Sequence, residues 1–221
     1  MTRTRAALVA LALAGVAMLL ALGVWQLQRR AVKLDLIARV ERRLAAPPVA
    51  PPIGAVARDD EYMKVIARGR WRVGDTYTQA VTVLGPGFWV LTPFETARGT
   101  VLVNRGFVPA GMRGKAPSPR SGTVRGLLRL SEPGGGFLRT NDPAADRWFS
   151  RDVVAIAAAR RTGPVAPYFI DAEANGGGWP RGGLTVVRFR NTHLVYALTW
   201  FALAGLVGFF TWRIARVGRG D

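Results

Sequence analysis

The chain has no cysteine and only one histidine among its 221 residues. The first absence excludes a disulfide framework, a thiolate copper-transfer site and a cysteine-held iron–sulfur cluster, although it does not identify the redox compartment. The second removes most metal and acid–base chemistry. A structural zinc site takes about four protein ligands, and neither an H-E-x-x-H nor a G-x-S-x-G arrangement occurs. Acidic residues are also scarce, 14 against 31 lysines and arginines, for a formal charge of +17. Their densest cluster, "RDDEY" (58–62), reads as a solvated turn before a strand, so the chain is not expected to be an enzyme. In a soluble protein such a charge would suggest nucleic acid. Here much of it flanks apolar segments, which points to anionic lipid head groups or acidic partners. No zinc-finger spacing, phosphate loop or RNA-binding signature accompanies it, and nucleic acid is not an expected partner.

What the sequence does have is two long uncharged runs. The first, "AALVALALAGVAMLLALGV" (6–24), has 19 residues, about 28 Å as a helix against a hydrocarbon layer of roughly 30 Å. The second, residues 191–212, is bounded by Arg190 and Arg213 and places Trp212 where amphipathic rings prefer to sit. The residues between them are too few and too polar to bury two such helices in a soluble core. Arg3 and Arg5 before the first run also fit a signal peptide, but the run is too long and no A-x-A-like cleavage site follows. A retained anchor is therefore expected. The expected plan is a first transmembrane helix with an interfacial end (6–28), an extramembrane domain (29–190), a second transmembrane helix (191–212) and a basic tail (213–221). Both termini then share one side of the membrane. Arg3, Arg5, Arg213, Arg216 and Arg219 favour cytoplasmic ends, yet Arg29, Arg30, Lys33, Arg39, Arg42 and Arg43 crowd the loop side of the first helix. Charge alone leaves the orientation open.

After the first run, Leu34, Ile37, Val40 and Leu44 keep helical spacing, which predicts an amphipathic continuation or a short second helix ending before "PPVAPP". From Tyr62 the pattern becomes short runs rich in valine, threonine and aromatics: "YMKVIARGRW", "TYTQAVTV", "GFWVLTPF", "TVLVNRGFVP" and "TVRGLLRL". Turns at "VGD", "GPG" and "ARG" divide the first four, as between antiparallel neighbours. "DVVAIAAAR" predicts a short helix beginning near Ser150 or Asp152, "APYFIDAE" a strand, and "LTVVRFR" (184–190) a last strand before the second run. The fold class is thus a membrane protein with two transmembrane α-helices flanking a mixed, predominantly antiparallel β (α+β) extramembrane domain.

The single histidine, His193, lies at the loop-side end of the second run, with Tyr196, Ala197 and Trp200 on its helical face. Two readings stay open from these residues. Tyrosine and tryptophan anchor helices at head groups, with the imidazole bonded to a loop carbonyl or water. Alternatively a neutral imidazole is offered to haem iron, which takes one or two axial ligands, with Tyr196 and Trp200 packing on the macrocycle. The first run offers the other wall through Gly23, Trp25 and Gln26, with Arg29 and Arg30 placed to pair with propionates. Ala10, Ala14, Ala17 and Ala21, and Ala204 and Gly208 opposite, are small positions suited to close helix contact.

"GVWQLQRRAVK" (23–33), "VLTPF" followed by "VLVNRGFVP" (101–109), "PYFIDAE" (167–173) and "FRNTHLVYALTWFALA", in that order, resemble the SURF1/Shy1 family of cytochrome c oxidase assembly proteins over nearly the whole chain. The resemblance implies a non-enzymatic factor that assists haem a delivery into the catalytic subunit of a haem-copper terminal oxidase. It also implies a bacterial cell inner membrane, with the central domain periplasmic and both termini cytoplasmic, or the equivalent inner membrane in a mitochondrion. The family's haem-linked histidine falls on His193. Its Gly-x-Trp-Gln segment falls on Gly23, Trp25 and Gln26, and its loop signature on Asn104, Arg105 and Gly106. Gly23, Gln26, Asn104, Arg105 and Gly106 are assigned to oxidase docking or local architecture. Implied partners are the apo catalytic subunit, the lipid bilayer and, as a further candidate, haem a synthase; the implied cofactor is haem a, held transiently. The competing reading is a membrane scaffold that stabilises oxidase subunits without binding haem.

Overall fold

The computed structural model describes residues 3–54, 56, 58–117, 120–136, 138–185, 187 and 189–217. The chain divides into two units, Met1–Arg39 with Arg188–Asp221, and Val40–Val187. Val186, Arg188 and the tail residue Arg219 lie outside the described residues.

The first unit is built from α1 and α3. Helix α1 (Arg3–Ala45) runs unbroken for 43 residues, about 65 Å. It therefore carries the amphipathic continuation expected after the first apolar run, and stops just before Pro47 and Pro48, which cannot extend it. Helix α3 (His193–Val217) starts after an Asx turn, in which the His193 N–H donates to Asn191 Oδ1 at 3.4 Å. Each helix is long and apolar enough to cross a membrane by length and composition. The hydroxyls on α3 are bonded within the helix itself, Thr199 to the Val195 carbonyl at 2.9 Å and Thr211 to that of Val207 at 2.7 Å. That is the arrangement a polar side chain adopts where water is scarce.

The second unit is a sheet closed on itself. In chain order it contains β1 (Lys64–Trp71), β2 (Thr76–Thr82), β3 (Gly85–Thr96), β4 (Gly99–Pro109), β5 (Ser121–Leu130), the short hairpin β6 (Gly135–Gly136) and β7 (Arg139–Thr140), α2 (Val153–Arg160) and β8 (Val165–Ala172). The order β1-β5-β8-β4-β3-β2, with β1 also paired to β3, closes five strands into a ring and leaves β2 outside on β3. The β4–β8 pair is parallel and the other pairs of this sheet are antiparallel, so the expected mixed, predominantly antiparallel sheet is present.

Alternation along the strands separates two cores. Val101 and Val103 of β4 and Tyr168 and Ile170 of β8 join Val65, Phe94 and Leu128 inside the ring. Leu102 and Phe169 point the other way, to Leu91, Trp148, Val153 and Ile156, where α2 covers the outer face. Strand β4 is consequently buried on both faces, which explains its nearly continuous apolar sequence. Helix α2 begins where Asp152 Oδ1 accepts from the Ala155 N–H at 3.1 Å, as its sequence predicts.

Two expectations are corrected. The turn expected at "GPG" lies instead at Val83 and Leu84, between β2 and β3, and Gly85 opens β3. No described residue of 184–190 is in a strand. Ring closure explains this, because β8 already has β4 and β5 on its two sides and offers no free edge. The segment is held otherwise, by Thr185, whose hydroxyl donates to Asp171 Oδ2 at 2.9 Å.

Asp171, 4% exposed, accepts from more of the domain than any one ladder joins. Besides Thr185 it takes Asn104 Nδ2 of β4 at 2.8 Å, Arg129 Nη1 of β5 at 3.1 Å and Arg151 Nη1 at 3.2 Å. Arg129 and Arg151 pass the charge outward to Glu61 at 3.0 Å and to Glu132 Oε2 at 3.0 Å. Removing the central carboxylate leaves two largely buried guanidinium groups short of their counter-charge. Asp171→Ala is therefore expected to lose about 3–5 kcal/mol, read as a lowered urea midpoint, with Asp171→Asn also destabilised.

Burial alone would raise the Glu132 pKa, but hydrogen bonds and charge from Arg151 outweigh it and hold the carboxyl below its ordinary value. A depressed folded pKa contributes stability above the unfolded carboxyl value of about 4.3 and loses it as pH falls through the folded one. Thermal midpoints measured between pH 6 and 3 should fall less steeply in Glu132→Gln than in the wild type.

A paired-helix site around His193

Contacts between α1 and α3 follow one sequence in opposite directions. Arg5 donates to the Ile214 carbonyl, Val16 meets Gly208, Gly23 meets Phe201, Gln26 meets His193, and Lys33 lies 5.1 Å from the Phe189 ring centroid. The helices are an antiparallel pair. Their seam on α1 runs through the less exposed positions Arg5, Val9, Ala12, Val16, Leu19, Gly23, Gln26 and Arg30, alternating steps of four and three as in a coiled coil. Ala10, Ala14, Ala17 and Ala21 are exposed and not on this seam. They form a parallel stripe five positions further along, about 140° round the helix, with the same period, and residue size alone does not choose between the two. On α3 the positions expected to be close are so: Ala204 is buried, and a methyl group at Gly208 would stand 4.0 Å from Val16 Cγ2; Ala197 is buried as well.

Gly23 is the tightest point of the seam. A Cβ there would overlap the Phe201 ring, so the missing side chain lets the ring seat directly on the α1 backbone. One turn further, His193 Nδ1 faces Gln26 Oε1 at 2.7 Å. This hydrogen bond joins residues 167 positions apart in sequence. An amide oxygen accepts, so this contact fits a ring that carries a proton on Nδ1. Among the described residues no other hydrogen bond to the imidazole side chain occurs.

The remaining sequence-derived residues surround this bond without sharing it. Trp25 and Tyr196 are 51% and 53% exposed and Trp200 is half-buried; Trp25 adjoins Gln26 on α1, and Tyr196 and Trp200 lie one and two turns beyond His193 on α3. Arg29 is exposed and Arg30 half-buried on the next turn of α1.

Asn104, Arg105 and Gly106 lie in the second unit and are buried. Asn104 links β4 to Asp171 and accepts the Gly106 N–H on Oδ1 at 3.1 Å. Gly106 has φ 127°, and a Cβ there would overlap the backbone of Arg181. Arg105 continues the inward face of Val101 and Val103 to the mouth of the ring, where a cavity of about 790 Å³ is lined by Trp71, Val124, Arg125, Ala172 and Trp179. Burial lowers the Arg105 pKa, opposed by Asp75, whose carboxylate is 3.6 Å away, and by Tyr77. The guanidinium also lies 5.4 Å from the Trp71 ring centroid and donates to the Pro117 carbonyl. The three residues of this signature build the domain's interior. The sequence reading did not single out Asp171, which sits in "PYFIDAE" with its partners spread from Asn104 to Thr185; no local spacing marks that convergence.

A family model described as SURF1 family matches residues 13–205, from α1 through much of α3. Surfeit locus protein 1 of Homo sapiens is 36% identical over 215 residues, covering 85% of this chain and 71% of its own. That of Rattus norvegicus is 35% identical over 219 residues, covering 87% and 70%. A SURF1-like protein of Monosiga brevicollis is 34% identical over 208 residues, covering 84% and 78%.

Because the chain has no cysteine, the seam is open to direct test by a Val16→Cys, Gly208→Cys pair. That pair should cross-link under mild oxidation. Adding Gly23→Leu should slow the cross-linking, with an overpacking cost of about 1–3 kcal/mol, whereas Gly23→Ala should do less because the end of the Phe201 ring can move.

Proposed function

Since the chain belongs to the SURF1 family, a role in cytochrome c oxidase assembly is implied, and we propose that it spans a membrane through α1 and α3 and hands haem a to the catalytic subunit of the oxidase. The observation that carries the haem reading is the state of His193: one imidazole at the end of an apolar helix pair, engaged through Nδ1, with Nε2 uncommitted.

The donor set fits a haem and does not fit a bare metal ion. Among the described residues no group of three or more histidine, cysteine, aspartate or glutamate side chains is placed to hold a metal. Haem iron brings its equatorial nitrogens with it and asks the protein for one or two axial ligands. In the proposed site His193 Nε2 would hold the iron, Tyr196, Trp200 and Trp25 would give the porphyrin apolar surface, and Arg29 and Arg30 would pair with propionates. When bound, haem a is the redox group the oxidase will use; this chain's residues hold it, shield it from water and let it go. The affinity suited to that task is limited, because each 1.4 kcal/mol of excess binding slows release about tenfold at constant association rate.

The membrane in this reading is the bacterial cell inner membrane, with both termini cytoplasmic and the ring domain periplasmic, docked on the apo-oxidase. The chain acts as a carrier without catalysing a reaction. The scaffold alternative shares the docking and dispenses with the haem.

Protein purified from cells that make haem a should carry it, with an absorption spectrum that depends on His193. His193→Ala should lose the haem while co-purification with oxidase subunits persists. Equal haem in both proteins would leave the scaffold as the function.

A further inference from the structure

A glutamine can meet an imidazole in two ways: its carbonyl oxygen accepts from a ring N–H, or its amide donates to a bare ring nitrogen. The two arrangements place the ring proton on opposite nitrogens. Here Oε1 faces Nδ1 at 2.7 Å, and an oxygen has no proton to give. We propose that Gln26 is a positioning residue that locks His193 in the Nδ1–H tautomer and, being a neutral amide, keeps Nε2 a donor of moderate strength. The first half stands on this geometry; the second rests on the haem reading above.

The tautomer is not one the ring adopts by itself, because a histidine side chain free in water favours the proton on Nε2. Something must hold the other form, and the seam does. Gly23, one turn before Gln26 on α1, seats Phe201, two turns beyond His193 on α3, and so fixes the separation of the helices on one side of the bond. Gln26 and His193 are both half-buried there, which limits competition from water for the shared proton.

The identity of the acceptor has a further consequence. Histidine ligands of resident metals commonly donate their second N–H to a carboxylate, whose charge draws the proton away and makes the ligating nitrogen more basic. An amide oxygen orients the ring equally well but pulls on the proton much less. A glutamine at this place therefore supplies orientation without the full gain in basicity, which suits a ligand that must release what it holds. Arg29 and Arg30, on the next turn of α1, would favour the ionised form of a glutamate introduced at position 26.

The single histidine makes the first half directly observable. In full-length, haem-free protein labelled with ¹⁵N-histidine, one imidazole contributes to the nitrogen spectrum. Wild type should show a protonated Nδ1 and a bare Nε2, Gln26→Glu the same with a stronger hydrogen bond, and Gln26→Leu a shift toward Nε2–H. A protonated Nε2 in the wild type overturns the lock. In haem-loaded protein, Gln26→Glu should slow haem release by about 10–100-fold and lower the reduction potential, and Gln26→Leu should speed release by a similar factor. If both variants speed release, Gln26 serves only to pack the seam and the second half falls. Retention of haem by His193→Ala refutes the haem reading, and with it the second half, while the ¹⁵N spectrum still decides the tautomer lock.

Discussion

The ring domain depends on one carboxylate. Asp171 sits on the outward face of β8 and gathers side chains from β4, β5, the segment leading into α2 and the segment after β8. Ring closure brings these elements together, but ladder hydrogen bonds tie each strand only to its neighbours. The Asp171 cluster ties four separate parts of the chain at one point, and it does so where burial strengthens every charge and penalises every missing partner. Asn104, bonded to Asp171 with one end of its amide and to the Gly106 N–H with the other, carries that constraint into the close approach of β4 to Arg181. "TVLVNRGFVP", "TVRGLLRL", "APYFIDAE" and "LTVVRFR" thus contribute to one construction.

The helix pair obeys a different constraint. In the proposed membrane setting, burial of apolar surface gives such helices little reason to associate, and close packing must do the work. Gly23 supplies it by accepting Phe201 against the backbone, and the small stripe on α3 extends it through Ala197, Ala204 and Gly208. The polar end of the seam then comes into register, where Gln26 and His193 meet. Packing thus precedes chemistry in this unit: the imidazole is oriented because two helices fit closely a turn away.

The two units were unequally legible in the sequence. Uncharged runs, the strand series and the capped helix at Asp152 announce themselves locally, because each reflects a pattern of neighbours on one element. The role of Gln26 does not, since its partner lies 167 residues away and an isolated glutamine near a helix end has many uses. The seam shows the same limit: two stripes of α1 share one period, and only the bulk of Phe201 opposite Gly23 selects between them. The segment 184–190, none of whose described residues is in a strand, is a third case. "LTVVRFR" alternates as a strand should, yet alternation describes a face and says nothing of whether an edge is free to receive it.

The sequence by itself determined the elements and their surroundings: two apolar helices, a β-rich stretch between them, a lone imidazole at a helix start, and a family resemblance carried by ordered fragments. It could do so because hydrophobic periodicity, capping and composition act over a few residues. Tertiary structure alone decided the closure of the ring, the convergence of charged side chains on Asp171, the face on which the helices meet and the pairing of His193 with Gln26. Each of those is a contact between residues distant in sequence, fixed by shape and hydrogen-bond geometry when the elements pack, and no local pattern specifies it.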